Sequence, residues 1–245
     1  MQRLFISDLH LDDPSAPAFQ RFDECLAHES RRVDEVYILG DLVEMWIGDD
    51  DDSVAALRLR QILKRTAAET SVYLMHGNRD FLFGDKFADE TDVRLLSDPH
   101  MTDDGLLLSH GDMLCTDDVE YQNMRALLRS EAWQQDILSK TLAERKAFGQ
   151  SLRQQSQTNN ANKPSNIMDV NDKTTSALVA QHRAKILLHG HTHRPGMHRH
   201  HGFTRFVTGA WERCGWLARQ QDEALWLECF SLAHRYGSET PGQVL

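Results

Sequence analysis

Leu4-Phe5-Ile6-Ser7-Asp8-Leu9-His10 runs three apolar residues straight into an aspartate and a histidine two positions apart. The triplet predicts a buried strand, and the D-x-H behind it predicts a site at the strand's C-terminal end, where ligands bind in α/β sheets. The same order recurs four times. Val36-Tyr37-Ile38-Leu39 leads into Gly40-Asp41, and the run 72–75 leads into His76-Gly77-Asn78-Arg79-Asp80. Leu106–Ser109 leads into His110-Gly111-Asp112, and Ile186-Leu187-Leu188 into His189-Gly190-His191-Thr192-His193. Between the second and third strands, residues 53–69 carry Val54, Leu57, Ile62 and Leu63 at helical spacing, with Asp52 or Ser53 as N-cap. Strand–helix–strand order with short connections predicts an α/β core with a partly parallel sheet. Further strands are expected at 93–96, 204–208 and 224–230.

Residues 117–157 break this pattern. They lack strand signals and proline, and Leu127, Leu128, Trp133, Ile137, Leu138, Leu142, Phe148 and Leu152 suit helices. A polar stretch at 154–166 follows, then a helical run at 169–183. The reading is a single domain over residues 1–245 with a helical insertion at about 117–168. Between residues 121 and 165 stand seven bases, including Arg145, Arg153 and Lys163, against three acids. A basic, partly apolar insertion on an acidic body suits an anionic, amphiphilic partner; a solvated helix face is the plainer alternative.

The 245 residues carry a net charge of −10, which argues against a generic nucleic-acid binder because such a protein needs a basic face. Cys25, Cys115, Cys214 and Cys229 form no C-x-x-C pair and read as reduced thiols of a cytoplasmic protein. The N-terminus lacks a signal-peptide apolar region, and no apolar run reaches membrane-span length. The expectation is a soluble or peripherally attached protein without an obligate protein partner. Thirteen clustered histidines point to metal or proton chemistry.

The five strand ends supply two aspartates, four histidines and one asparagine. On extended chain, residues i and i+2 point the same way, so Asp8 with His10, and His191 with His193, could each grip one ion. Asp41 can bridge two cations, Asn78 offers a neutral oxygen and His110 a nitrogen. Two divalent ions roughly 3.5–4 Å apart clamp a phosphoryl group and acidify a water between them. Gly40, Gly77, Gly111 and Gly190 let backbone approach the ions. His76 and His189 are expected to support ligands from behind, or else to pack or cap. His198, Arg199, His200 and His201 lack partner carboxylates and suit an exposed turn. Residues 49–52 suit a solvated helix start.

The ordered set D-x-H, G-D, G-N-x-D, H and G-H-x-H resembles the calcineurin-like dinuclear metallophosphoesterases. One position departs: most members have His where this chain has Arg79. Arginine cannot release a proton to an alkoxide, but it can stabilise phosphoryl oxygens. Phosphate leaves without needing that proton, so Arg79 favours a phosphoanhydride substrate over a monoester. Gly40-Asp41-Leu42-Val43-Glu44-Met45-Trp46, Gly77-Asn78-Arg79-Asp80-Phe81-Leu82, His110-Gly111-Asp112-Met113-Leu114-Cys115-Thr116-Asp117-Asp118 and Asn166-Ile167-Met168-Asp169 resemble more closely the UDP-2,3-diacylglucosamine hydrolase family of lipid A biosynthesis.

That resemblance implies a four-layer α-β-β-α sandwich with a helical lid and two Mn²⁺ per chain. It implies water attack on the α-phosphorus of UDP-2,3-diacylglucosamine at the inner-membrane surface, releasing UMP and 2,3-diacylglucosamine 1-phosphate. One metal would be held by Asp8, His10, Asp41 and His193, the other by Asp41, Asn78, His110 and His191. Asp41, Asn78 and Arg79 would carry catalysis. Asn78, Arg79, Asp118, Arg153, Ser156, Asn160, Lys163 and His191 would bind substrate, although Asp118 also sits where an N-cap is due. Trp46, Phe81, Phe83, Trp133, Leu138, Leu142, Phe148 and Leu152 could line an acyl groove, or pack as core. The competing readings are another phosphoesterase substrate, disfavoured by Arg79, and a non-catalytic scaffold, disfavoured by the complete ligand set.

Overall fold

The computed structural model describes residues 1–162, 167–238 and 242–243, with the side chains of 155–162 and 243 not described. In chain order the elements are β1 (Gln2–Ile6), α1 (Pro17–Glu29), β2 (Glu35–Leu39), α2 (Val54–Ala67), β3 (Ser71–Met75), α3 (Asp85–Thr91), β4 (Arg94–Leu96), β5 (His100–Met101) and β6 (Leu106–Ser109). Then follow α4 (Val119–Leu128), α5 (Glu131–Leu138), α6 (Leu142–Asn162), α7 (Asp172–His182), β7 (Ile186–His189), β8 (Gly196–His200), β9 (Phe203–Val207), β10 (Cys214–Gln221), β11 (Ala224–Ser231) and β12 (Gly242–Gln243).

Two sheets form, one ordered β12-β11-β10-β1-β2-β3-β4 and the other β5-β6-β7-β9-β8. β1, β2, β3 and β4 pair in parallel, as do β6, β7 and β9. The apolar runs are continuous because both faces of these strands are covered. Leu4, Ile6, Val36, Ile38, Val72 and Leu74 pack outward with Phe22, Leu26 and Leu59 of α1 and α2. The alternate residues Phe5, Tyr37, Leu39 and Met75 face Leu106, Leu108, Leu188 and Phe206 of the second sheet. Leu107 and Leu187 turn away from that interface onto Leu178 and Val179 of α7. The period-2 alternation therefore assigns each strand residue to one of two interfaces, and the result is the expected four-layer α-β-β-α sandwich.

The structure corrects several readings. β8 takes up His198, Arg199 and His200 as an edge strand, because it pairs antiparallel with β9; only His201 lies in the turn. α6 continues to Asn162, through most of the polar stretch. α1, α3 and β10 carried no expectation. α1 begins at Pro17, which suits the first helical turn. β10 gains its place by pairing with β1 and β11 over its whole length. No described helix is long and apolar enough to cross a membrane. All four cysteines are free thiols.

Candidate metal centre

The five motifs converge through the parallel sheets. Beyond β1 and β2 the two chains stay paired: Asp8 donates its backbone N–H to the Gly40 carbonyl at 3.1 Å, and His10 donates to the Asp41 carbonyl at 3.1 Å. Gly190 donates to the His110 carbonyl at 2.9 Å, and Trp211 donates to the Asp8 carbonyl at 3.1 Å, which ties the second sheet to the first. The D-x-H and H-x-H residues do not lie on extended chain, as their spacing suggested. Asp8, His10, Asp41, His191 and His193 all have positive φ, between 50° and 66°. Such conformations cost about 1–3 kcal/mol each and persist where the surroundings enforce them. The ends of β1, β2 and β7 thus curl their ligands over the sheet edge.

Buried Asp80 holds the ends of β2 and β3 together. Its carboxylate accepts from the backbone N–H of Gly77 at 2.7 Å, of Leu42 at 2.7 Å and of Asp41 at 3.3 Å. Gly77 is required by close approach, since a Cβ there would collide with the Asp41 carboxylate and backbone. Gly190 is required likewise, against Asp8 and Ser7.

Two groups result, Asp8 with His10 and His193, and Asp41 with His110 and His191. Within each group the ligand atoms lie within 4.8 Å of one another. Asn78 joins the second group, its amide oxygen 2.8 Å from His191 Nδ1 and 3.1 Å from His110 Nε2. The Nε2 atoms of His10 and His193 face each other at 3.2 Å. Two imidazole nitrogens so placed, beside the buried Asp8 carboxylate, fit a shared cation. Buried His10 Nδ1 also lacks a hydrogen-bond partner.

Electrostatics agree. Burial, reinforced by the neighbouring His110 charge, pushes His191 down to about 3, and burial pushes His10 down to about 4. Both therefore keep a lone pair to give. Burial also acts to lower His110, but Asp41, Asp112 and Asp8 outweigh it and hold this imidazole up at about 9. The site is a pocket of buried anions that stabilises positive charge. Two divalent cations fit its mixed oxygen and nitrogen donors.

Helices α4–α6 cover one side of the centre. Asp112 accepts from Tyr121 Oη at 2.9 Å, Arg125 Nε at 2.7 Å and Arg129 Nη2 at 3.2 Å, and Arg129 also donates to the Gly77 carbonyl at 2.9 Å. The Tyr121 ring stands 5.8 Å from that of His191. Arg145 donates to the Ile47 carbonyl at 2.6 Å and to Asp50 at 2.7 Å. Arg153 pairs with Glu44 at 2.9 Å. Much of the insertion's positive charge is thus met by the acidic body.

Between insertion and body lies a cleft lined by Trp46, Phe81, Met124, Trp133, Phe148 and Leu152, with Asn78, Arg79 and Arg153 among its polar residues. The Trp133 ring links the Phe81 and Phe148 rings, at 6.0 and 5.8 Å.

Other expected residues fall elsewhere. Phe83 packs in the core, stacked 4.3 Å from Trp46, because Gly84 and Phe87 turn its loop inward around Asp49. Leu138 is exposed, and neither it nor Leu142 lines the cleft. Residues 49–52 are no mere solvated start: Asp49 accepts from Gly84, Phe87 and Trp46 Nε1, and Asp50 holds Arg145. His76 bonds the Phe83 carbonyl at 2.8 Å, and His189 lies 3.2 Å from Arg205, so both support backbone and core rather than bonding a ligand side chain. Asp118 caps α4, accepting from the Tyr121 N–H at 3.1 Å. Ser156 and Asn160 lie in the part of α6 whose side chains are not described, and Lys163 lies outside the described residues.

Glu44, Asp80, Asp112 and Tyr121 had no role in the sequence reading. A carboxylate two or three residues past a candidate ligand (Asp41, Asn78 and His110), in a chain whose insertion is rich in arginine, is the signal that could have found the first three.

The calcineurin-like phosphoesterase family model matches residues 1–195. Among solved structures, an archaeal phosphodiesterase superposes with a TM-score of 0.52 at 11% identity, covering 94% of this chain and all of that one. Zinc-bound Vps29 from Entamoeba histolytica gives 0.50 at 17%, covering 100% and 98%. These likenesses concern the fold alone. UDP-2,3-diacylglucosamine hydrolase from Chromobacterium violaceum is 45% identical over 213 residues, 84% of this chain and 89% of its own. The protein of that name from Chromohalobacter salexigens is 40% identical over 236 residues, covering 91% and 95%. The one from Pseudomonas putida is 37% identical over 238 residues, covering 94% and 99%. The chain therefore belongs to the calcineurin-like phosphoesterases and, within them, to the UDP-2,3-diacylglucosamine hydrolase family.

Proposed function

We propose that this protein hydrolyses the diphosphate of UDP-2,3-diacylglucosamine to UMP and 2,3-diacylglucosamine 1-phosphate, with water attacking the α-phosphorus, as a step of lipid A biosynthesis. The observation that carries the reading is the Asn78-Arg79 pair. Asn78 stands against both His110 and His191, and both residues line the apolar cleft. An anion bound there meets the metal centre and a cationic side chain together, with apolar surface beside it for acyl chains.

Two Mn²⁺ ions are the proposed cofactors, one on Asp8, His10, Asp41 and His193, the other on Asp41, Asn78, His110 and His191. When bound, such ions supply Lewis-acid polarisation of a phosphoryl oxygen and a water of lowered pKa. The chain's own residues do the rest. Arg79 is fixed by its backbone N–H, which donates to Asp41 Oδ1 at 2.8 Å. Its buried Nε has no protein partner, so a donor waits for a phosphoryl oxygen. Arg79 cannot act as an acid, and the uridylyl-side attack expels a phosphate that needs none.

Arg153 and His191 complete the phosphate side, and Asp118, Ser156, Asn160 and Lys163 contact the rest of the substrate. The insertion at about 117–168 serves as lid to a single catalytic domain. Trp46, Phe81, Trp133, Phe148 and Leu152 hold acyl chains. Exposed Val119, Leu127 and Leu138 on α4 and α5 favour peripheral attachment to the cytoplasmic face of the inner membrane.

The test is steady-state hydrolysis by Mn²⁺-loaded protein, with and without chelator, of UDP-2,3-diacylglucosamine and of a model aryl phosphate. Metal-dependent release of UMP with clear preference for the diphosphate is expected. Preference for the aryl phosphate would return the protein to the monoesterases.

A further inference from the structure

We propose that Glu44 is a positioning residue, which sets Arg79 of the body and Arg153 of the insertion as one two-armed clamp for the substrate's diphosphate. The inference rests on the function proposed above for the identity of the anion. Its geometry stands independently. A single oxygen, Glu44 Oε1, accepts from Arg79 Nη1 at 3.0 Å and from Arg153 Nε at 2.9 Å. Its second oxygen lies 3.5 Å from His10 Nδ1. The carboxylate is anchored by its own backbone, since Glu44 donates its N–H to the Leu11 carbonyl at 3.1 Å, one residue past His10.

The two arginines arrive from different parts of the chain. Arg79 follows β3 and is pinned to Asp41. Arg153 comes from α6 and its side chain is 43% exposed, whereas that of Glu44 is 13% exposed. Without the shared anion, two guanidinium groups at this separation would repel each other, and the arm on the less buried helix would swing away. With it, both stay beside the metal centre, and all three residues line the cleft.

Charge sets the ligand class. Two guanidiniums and one carboxylate leave a net single positive charge, whereas a diphosphate diester carries two negative charges, one per phosphoryl group. Each arm keeps donors beyond the one given to Glu44, because a guanidinium has five. The clamp therefore suits two linked phosphoryl groups and binds them without displacing Glu44.

The experiment compares wild type, Glu44→Gln and Glu44→Ala in two readouts. In substrate-free protein, hydrogen exchange over residues 142–154 reports on α6. We expect both variants to exchange faster there by about three- to fivefold, with the sheets unchanged. Equal exchange in all three proteins would overturn the proposal. In turnover, Glu44→Gln should raise KM about tenfold and change kcat less than threefold, as loss of ground-state positioning does. A fall in kcat at unchanged KM would mean only a loss of folded enzyme and would also overturn it. In an Arg153→Gln background, Glu44→Gln should shift KM less than threefold, because one arm is already gone; a full tenfold shift would contradict the shared clamp. Wild type that leaves UDP-2,3-diacylglucosamine intact would sink the substrate assignment, and the exchange readout would still decide the role of Glu44.

Discussion

The strand ends and the helical insertion meet at one site and are held there by opposite means. The frame beneath the metal centre is apolar and dry. Phe5, Ile6, Ile38, Leu39, Leu74 and Met75, the residues just ahead of three of the motifs, are fully buried. Truncating any such residue to alanine costs about 2–5 kcal/mol. In the insertion, α4 buries no residue and α5 buries only Ile137. Its attachment comes from arginines: Arg125 and Arg129 on Asp112, Arg145 on Asp50, Arg153 on Glu44. The two pairs with an exposed partner, Arg145–Asp50 and Arg153–Glu44, contribute about 0–1 kcal/mol each, whereas Asp112 is fully buried and stranding its charge costs about 3–5 kcal/mol. The contrast separates two tasks. Metal ligands need sub-ångström constancy, which close-packed strands give. The proposed lid must open over a long amphiphile, and the two exposed-partner pairs of α6 release at low cost while the pairs on buried Asp112 keep α4 in place.

The most direct way to break the contrast is at the frame's ligands. His110→Ala should remove metal from the second group and lower turnover by at least about a thousandfold, several kcal/mol of transition-state stabilisation. Metal content by elemental analysis should fall with activity while circular dichroism stays unchanged. Retained metal at lost activity would mean that His110 serves the chemistry in some other way.

Arg79→His comes next. It should keep both metals and lose anhydride hydrolysis by about a hundredfold, the scale of one lost charge-stabilising donor. Unchanged turnover would defeat the leaving-group reasoning and leave Arg79 as an anchor for Glu44.

Trp133→Ala sharpens the other side. Its ring joins Phe81 of the body to Phe148 of α6. KM for the diacylated substrate should rise about tenfold, while a UDP-sugar without acyl chains should show no change. Equal effects on both substrates would remove Trp133 from the acyl groove.

The frame was legible in the sequence because both-sided burial writes itself as continuous apolar runs. The five motifs directly followed such runs, so their convergence could be read from chain order. The backbone at the ligands could not. Asp8 and His10 come together through left-handed turns, a choice made by neighbouring strands rather than by local propensity. α1 and β10 escaped for a related reason: β10 is a strand because β1 and β11 flank it. The insertion was legible as helical and basic, but its pairing was not. Nothing local links Glu44 to Arg153, or Asp112 to Arg129; those contacts span 109 and 17 residues and exist only once the sandwich has formed.

The smallest effect concerns Asp50. Its hydrogen bond from Arg145 holds the carboxyl below its ordinary value of 3.8. A carboxyl lowered in the docked state stabilises docking above its ordinary value, and that contribution fades as pH falls through the lower docked value. Asp50→Asn should therefore speed exchange of residues 142–154 at pH 7 by about two- to threefold, and the ratio to wild type should fall toward one as pH drops below the carboxyl's ordinary value of 3.8. A ratio independent of pH would mean that the carboxylate charge does not hold α6.

The central claim is that the strand-end centre directs water at the α-phosphorus of a lipid-linked UDP-sugar. It is tested most directly by hydrolysis of UDP-2,3-diacylglucosamine in ¹⁸O-labelled water, with both phosphate products analysed by mass spectrometry. The account predicts the label in UMP. Label in 2,3-diacylglucosamine 1-phosphate would contradict it, placing the attack on the other phosphorus and overturning the roles given to Asn78 and Arg79.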